Sequence, residues 1–544
     1  MEYLLKKNIM RKILLIFFWF QFFSFYSFGQ MYKKWGDQGN GRYENPVLPA
    51  DFSDLDVICV GNDYYAISST MQFSPGMVVL HSVDLVNWKI IGHVVDDLTK
   101  ISPELNWDKM NRYCRGVWAG SIRYYKNKFW VYFGTPDEGF FMSSATNPSG
   151  PWEPLHQVWN VSGWDDCCSF QDDDGQLYFI ATNFALDPKN NKQYNIHLFK
   201  MTADGKQLIM ESDKIIYQSK GSEANKLYKI NGFYYHYFSE VNQLGQRHIM
   251  MGRSKNINGP FEIKQLNKVD RQKDREPNQG GLIKVSDAKW CFLTHHGRGD
   301  WEGRPASLLP VTWVNDWPII GKVGSDGIGE MVWSGQKPIS KKTNAFIQTS
   351  DQFQSEKLNP QWEWNYQPRN DKWSLTERKG FLRLYAFSPI ASEKKEKIIL
   401  RAGNTLTQRS MRTSENSVTV KINIQNMENG QYAGLTHLST ENNSLFGIKQ
   451  DDGIRKFVYT FNDFETIGIK ILNNDVWLQS KWGIDGLNTY YYSFDGRKFI
   501  PFGGKSQMTW GSYRGDRIGI FNFNTNEEKG YVDCDFFNYT YTKK

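Results

Sequence analysis

The chain contains no C-x-x-C pair, no H-E-x-x-H, no low-complexity tract and no sustained helical periodicity over its 544 residues. Each absence removes a class of protein. The six cysteines (59, 114, 167, 168, 291 and 534) are scattered, and the adjacent Cys167 and Cys168 lack metal-ligand spacing. Buried free thiols are therefore expected rather than a zinc centre or a disulfide scaffold. Among nine histidines only His295 and His296 are adjacent, which is weak ground for a metal. Without a helical period, helix bundles and helical repeats are excluded. A formal net charge of +7 on so long a chain does not suggest nucleic acid as a partner. No segment beyond the first thirty residues has the apolar length to span a membrane.

The N-terminus does carry a signal. Lys6, Lys7, Arg11 and Lys12 precede an apolar run from Ile13 to Phe28 that ends in Ser27-Phe28-Gly29-Gln30. A basic head, a short apolar stretch and a small residue at the end describe a secretory signal peptide over residues 1–29. The mature protein is then expected to be secreted or periplasmic, with a net charge of about +4. The remaining length exceeds what one hydrophobic core supports, so two domains are expected.

Aromatic residues are abundant, 15% of the chain, and they recur in a pattern. The stretches "ICVGNDYYAISS", "IRYYKNKFWVYFG", "SFQDDDGQLYFIAT", "LYKINGFYYHYFS" and "LIKVSDAKWCFLTH" each run strand, short polar turn, aromatic-rich strand. Turns such as Asn-Gly and Asp-Gly between β-branched or aromatic runs predict hairpins. They fall near residues 62, 127, 175, 232 and 288, a spacing that suits blades of a β-propeller. An all-β protein is predicted: a five-bladed β-propeller over 30–334, a linker over 335–350, and a β-sandwich over 351–544, where short alternating strands such as "NSVTVKINIQ" and "RIGIFNFNT" take over.

Acids sit just ahead of several hairpins. Asp54 precedes the first, Asp166 the third and Glu223 the fourth. In a propeller these positions face the mouth of the central channel, so the three would converge, and two carboxyl groups acting as base and acid are what glycosidic hydrolysis requires. Asp51 and Asp56 read as loop and turn acids, Asp172, Asp173 and Asp174 as turn formers, and Asp84 as a backbone-bonding acid.

The segments "NPVLPADFSDLDVICVGNDYY", "HSVDLVNWKIIGHVV", "GVWAGSIRYYKNKFWVYF", "EANKLYKINGFYY" and "GRPASLLPVTW" together resemble glycoside hydrolase family 43, and the C-terminal stretch is similar to that family's concanavalin-like sandwich. The resemblance covers nearly the whole mature chain. It implies single-displacement hydrolysis with inversion: Asp54 as general base, Glu223 as general acid, and Asp166 orienting Glu223 and keeping its proton by like-charge repulsion. Arg304 would grip the terminal sugar. Phe73 and Trp118 are either its apolar platform or core. The substrate expected is a terminal pentose of a plant oligosaccharide or polysaccharide, with "SPGMVVLHS" and Asn278 leaning toward α-L-arabinofuranose over β-D-xylopyranose. The alternative is a glycan-binding propeller without catalysis. The sequence departs from the family pattern at Asp54-Leu55-Asp56, at Trp118-Ala119-Gly120-Ser121, at Asp165 and Cys167 beside Asp166, and at Asn278, where many members carry a histidine. That last change weighs against a metal over the site, and no cofactor is expected for catalysis. In the sandwich, Asp351 and the strand-mates Asp533 and Asp535 suggest either a structural calcium held by Asp351 and Asp535, or solvated edge acids.

Overall fold

The computed structural model describes residues 34–184, 194–219, 221–242, 245–268, 277–297, 299–391, 397–462 and 464–542; the expected signal peptide lies outside them. Each of the five predicted hairpins forms the first two strands of a four-stranded antiparallel path. The inner strands are Asp56–Val60, Gly120–Tyr125, Trp164–Gln171, Ser222–Ile230 and Pro277–Ser286, one for each of blades one to five. Each inner strand touches the next and the fifth touches the first, which closes the ring.

The aromatic second strands of the hairpins fill the seams between blades. Phe133 and Phe141 of blade two pack on Ile67 and Val79 of blade one, and Phe179 and Phe199 of blade three on Tyr132 and Phe140. The same layering continues with Phe238 against Ile180 and Leu198, and with Phe292 against Tyr237 and Met251. Large flat side chains suit these seams because facing sheets stand about 10 Å apart. The chain start seals the ring: Arg42–Glu44 pairs with Ser334–Gln336, and the Val47 amide donates to the Ala306 carbonyl at 2.8 Å.

The sandwich consists of two antiparallel sheets, and one of them takes its edge strand from the propeller. Phe73–Ser74, a loop of blade one, pairs with Glu363–Asn365. The core at the seam of blades five and one runs on into the sandwich, joining Val57, Leu80 and Leu308 to Leu406, Val420 and Phe537. Polar locks reinforce this junction. Arg514 pairs with Asp51 at 3.1 Å, and buried Glu363, paired within the sandwich to Arg409 and Arg517 at 2.9 Å each, meets His93 of blade one at 3.1 Å. Residues 335–350 are no free tether, since Lys337 pairs with Asp84 at 2.8 Å and Gln348 bonds both the amide and the carbonyl of Ile90.

Candidate active site

Three consecutive inner strands each carry one extra residue near their start. In blade three Asp165 opposes Thr182 while Cys168 opposes Ile180; in blade four Glu223 opposes Ser239 while Lys226 opposes Tyr237; in blade five Pro277 opposes His296 while Gly280 opposes Thr294. Each is a β-bulge, which re-aims side chains that strict alternation would turn elsewhere. The bulges force left-handed backbone on Asp166 (φ 53°) and Ala224 (φ 68°), and Asp54 ahead of blade one has φ 56°. Such φ values are uncommon outside glycine, with Asp among the more tolerant residues, and they persist where surrounding structure holds them.

These kinks bring Asp54, Asp166 and Glu223 to one cavity of about 400 Å³, at the small end of ligand pockets (~300–1,000 Å³). Asp54 is tightly held. The Ser69 hydroxyl donates to its Oδ2 at 2.5 Å, Arg304 Nη1 donates to its Oδ1 at 3.0 Å, and its backbone N–H donates to His295 Nδ1 at 2.6 Å. Asp166 Oδ2 accepts from the Ala224 amide at 2.7 Å, so the bulge of blade four positions the acid of blade three. Glu223 Oε1 pairs with Arg247 Nη1 at 2.6 Å. Trp118, half-buried, and Met71 supply apolar wall. One wall comes from the other domain: Tyr513 lines the cavity, its ring 6.4 Å from that of Trp118, with the Arg304 guanidinium 5.2 Å from it. The loop bearing it is tied to the propeller by Arg514 with Asp51 and by the Asp516 amide donating to the Trp301 carbonyl at 2.7 Å. Tyr513 itself has φ 68°, a strained value for an aromatic residue.

The electrostatics are those of crowded like charges. Burial, then the charges of Glu223 and Asp54, push the Asp166 carboxyl up to about 7. Asp165, also in the cavity wall, is driven well above the usual carboxylate range by burial and by Asp166. Burial and the Arg304 charge hold His295 well below its ordinary value; the neutral ring accepts at Nδ1 and so carries its proton on Nε2. Three wider grooves, about 530 to 860 Å³, lie elsewhere, and each is lined by a single carboxyl.

Residues 43–318 match the family described as Glycosyl hydrolases family 43, and residues 350–540 match the Beta xylosidase C-terminal Concanavalin A-like domain. The chain belongs to family 43. A β-xylosidase of Formosa agariphila is 36% identical over 93% of this chain and 92% of its own length. The non-reducing end α-L-arabinofuranosidase BoGH43B of Bacteroides ovatus is 31% identical over 63% of this chain and 64% of its own. Among solved structures, a bifunctional GH43-CE protein of Bacteroides eggerthii superposes with a TM-score of 0.80 at 27% identity, covering 92% of this chain and 64% of that one.

Within this glycosidase several residues stand elsewhere than expected. Phe73 is no sugar platform: it is 1% exposed, packs on Ile399, Leu438 and Phe521 of the sandwich, and lies under the guanidiniums of Arg514 and Arg517. Met71, two residues earlier, faces the cavity instead. Asp51 and Asp56 are buried ion-pair acids rather than loop and turn acids, Asp51 with Arg514 and Asp56 with Arg123 at 2.6 Å. Arg304 lines the cavity but commits one nitrogen to Asp54. Asp84 does bond backbone, accepting from the Val86 and Asn87 amides.

The acids named for calcium have protein partners in the structure. Asp351 accepts from the Phe353 amide, the Asn359 amide group and the Trp362 indole, Asp533 lies between Arg378 and Arg383, and Asp535 pairs with Lys421 at 3.1 Å. Cations and N–H donors already take these oxygens. Among the described residues no three His, Cys, Asp or Glu side chains are placed to hold a metal ion. Arg247, Asp165 and Tyr513 were not singled out as site residues from sequence. Only Asp165 carried a signal, as a departure from the family pattern.

Proposed function

We propose that this glycosidase is an exo-acting, inverting enzyme that releases a terminal pentose from plant cell-wall oligosaccharides or polysaccharides, β-D-xylose ahead of α-L-arabinofuranose. The observation that carries the reading is the entry of Asp54 and Glu223, from blades one and four, into one small cavity walled on one side by Tyr513 of the sandwich. A wall contributed by a second domain favours a chain end over a through-running polymer. The full-length likeness to a protein named β-xylosidase supports xylose. The partial likeness to an arabinofuranosidase keeps arabinose as the second reading.

In the reaction Asp54 takes a proton from water as the water oxygen bonds to the anomeric carbon. The glycosidic C–O bond breaks, its electron pair goes to the leaving oxygen, and that oxygen receives the proton of Glu223. Ser69 and Arg304 hold the Asp54 carboxyl in place. Glu223 donates only when protonated, and the Arg247 guanidinium paired with it lines the same cavity. Asp166 accumulates negative charge beside Glu223 as it ionises near pH 7. The reading also takes residues 1–29 as an export signal, checked by the N-terminal mass of the protein recovered outside the cytoplasm.

The test is hydrolysis of aryl β-D-xylopyranoside and aryl α-L-arabinofuranoside, with proton NMR of the first-formed sugar. Higher kcat/KM on the xyloside and an inverted anomer are expected. A retained anomer would reject the mechanism, and preference for the arabinofuranoside would favour the second reading.

A further inference from the structure

Asn225 lies fully buried in the bulge of blade four, two residues past Glu223, and no step of the reaction uses it directly. Its side-chain amide is nonetheless completely committed. Nδ2 donates to the Asp166 carbonyl at 3.0 Å and to the Thr182 hydroxyl at 2.8 Å, while Oδ1 accepts from His236 Nε2 at 2.9 Å. Burial pulls His236 down to about 3, so its ring is neutral and carries its one proton on the nitrogen that meets Oδ1. An N–H facing Oδ1 fixes the orientation of the amide, and both Nδ2 hydrogens then point at blade three.

Both of those partners bear on the backbone of Glu223. The Thr182 hydroxyl donates in turn to the Ser222 carbonyl at 3.4 Å, which holds the peptide group before Glu223. Asp166 Oδ2 accepts from the Ala224 amide at 2.7 Å, which holds the peptide group after it. Asn225 joins the two holders, so the backbone on either side of Glu223 is closed into one hydrogen-bonded circuit with the bulge of blade three. The circuit spans the left-handed residues Asp166 and Ala224, whose strain persists only where neighbours hold it. Asp54 stands outside the circuit, bonded to Ser69, Arg304 and His295.

We propose that Asn225 is a positioning residue that aims the Glu223 carboxyl at the leaving oxygen by locking the bulges of blades three and four together. The proposal rests on the reading of Glu223 as general acid. An acid protonates a leaving oxygen only within hydrogen-bond reach, and a misplacement of about 1 Å costs about 10²-fold in rate. That cost depends on the leaving group: an acidic phenol departs with little help from a proton, whereas an alkoxide needs one.

The test measures kcat/KM of the unaltered enzyme, Asn225→Ala, Thr182→Val and Glu223→Gln on pentosides whose leaving groups run from dinitrophenol through phenol to methanol, with melting temperature alongside. Asn225→Ala should lose about 30- to 100-fold on the methyl pentoside and at least about ten times less on the dinitrophenyl one, the same trend as Glu223→Gln. Thr182→Val, which keeps the side-chain shape and breaks one link of the circuit, should show the trend at about 3- to 10-fold, and it decides the matter if Asn225→Ala fails to fold. An equal loss on every leaving group, or no loss, in these two variants while Glu223→Gln shows the trend would overturn this assignment alone. A flat series for Glu223→Gln would overturn the general-acid reading, and the role of Asn225 with it.

Discussion

Asp51 and Asp54 are three residues apart and both buried, yet they belong to opposite electrostatic worlds. Asp51 lies at the propeller–sandwich junction; burial would raise its carboxyl, but Arg514, Arg517 and Arg409 outweigh burial and hold it below the usual range. Glu363, in the same junction, is held well below its ordinary value by Arg409 and Arg517 against burial. Asp54 also meets a guanidinium, that of Arg304, but shares its cavity with three further acids, and there Asp166 rises to about 7 under burial and the charges of Glu223 and Asp54. The junction spends arginines to neutralise each acid and gains cohesion between domains. The cavity gathers four carboxyls; Asp54 and Glu223 meet guanidiniums, and Asp165 and Asp166 are the ones driven up by burial and neighbouring carboxylates.

The contrast can be broken from either side. The largest effect expected is catalytic: Asp54→Asn and Glu223→Gln should each lower kcat by about 10²–10⁴-fold, with melting temperature nearly unchanged. Near-normal turnover by either variant on an unactivated substrate would end its assigned role. At the junction the pattern should reverse. Glu363→Gln leaves Arg409 and Arg517 facing each other without their acid, so unfolding free energy should fall by about 3–5 kcal/mol in denaturant titration. Stability equal to that of the unaltered enzyme would mean that this ion-pair cluster adds nothing to the fold.

Smaller, but sharper in sign, is the dependence on pH. Asp166 has a raised value, so the stability tied to its protonated form is complete below about pH 4 and is lost as pH rises through about 7. Asp166→Asn should therefore melt with the unaltered enzyme at pH 4 and about 1–4 °C above it at pH 8, by calorimetry. Asp51 has the opposite sign. Its contribution is present at neutral pH and lost only as pH falls below the ordinary carboxylate range, so Asp51→Asn should be destabilised at pH 7 and should converge on the unaltered enzyme in acid. Parallel pH curves for the two variants would remove the distinction. Least in size, Tyr513→Ala should raise KM about 3- to 10-fold with little change in kcat, since it removes a wall and no proton carrier; a selective fall in kcat would show that the sandwich loop acts on the reacting atoms.

Much of this was legible along the chain, because the signals were local. Hairpin turns and alternating aromatics are written in a few consecutive residues, and five such units at similar spacing already imply five blades. The acids ahead of those hairpins, Asp54, Asp166 and Glu223, were visible for the same reason. The sequence leaves Phe73 between platform and core because only Gln72 separates it from Met71, and of the two it is Met71, with backbone at φ 57°, that lines the cavity. The partners of the sandwich acids were out of reach along the chain, because Arg378, Arg383 and Lys421 approach Asp533 and Asp535 across separations of 155, 150 and 114 residues.

By itself, then, the sequence determined what short-range physics can determine: an all-β chain, its repeating blades, and which acids stand at the head of an inner strand. Tertiary structure decided what each acid is for. Whether a buried carboxyl is held low, like Asp51, or raised, like Asp166, depends on whether the opposing surface presents guanidinium or carboxylate. Those opposing groups lie 463 positions away for Asp51 with Arg514 and 57 away for Asp166 with Glu223. Charge–charge energies fall off with distance through space and not along the chain, so only the folded ring, with the sandwich seated against it, could assign them.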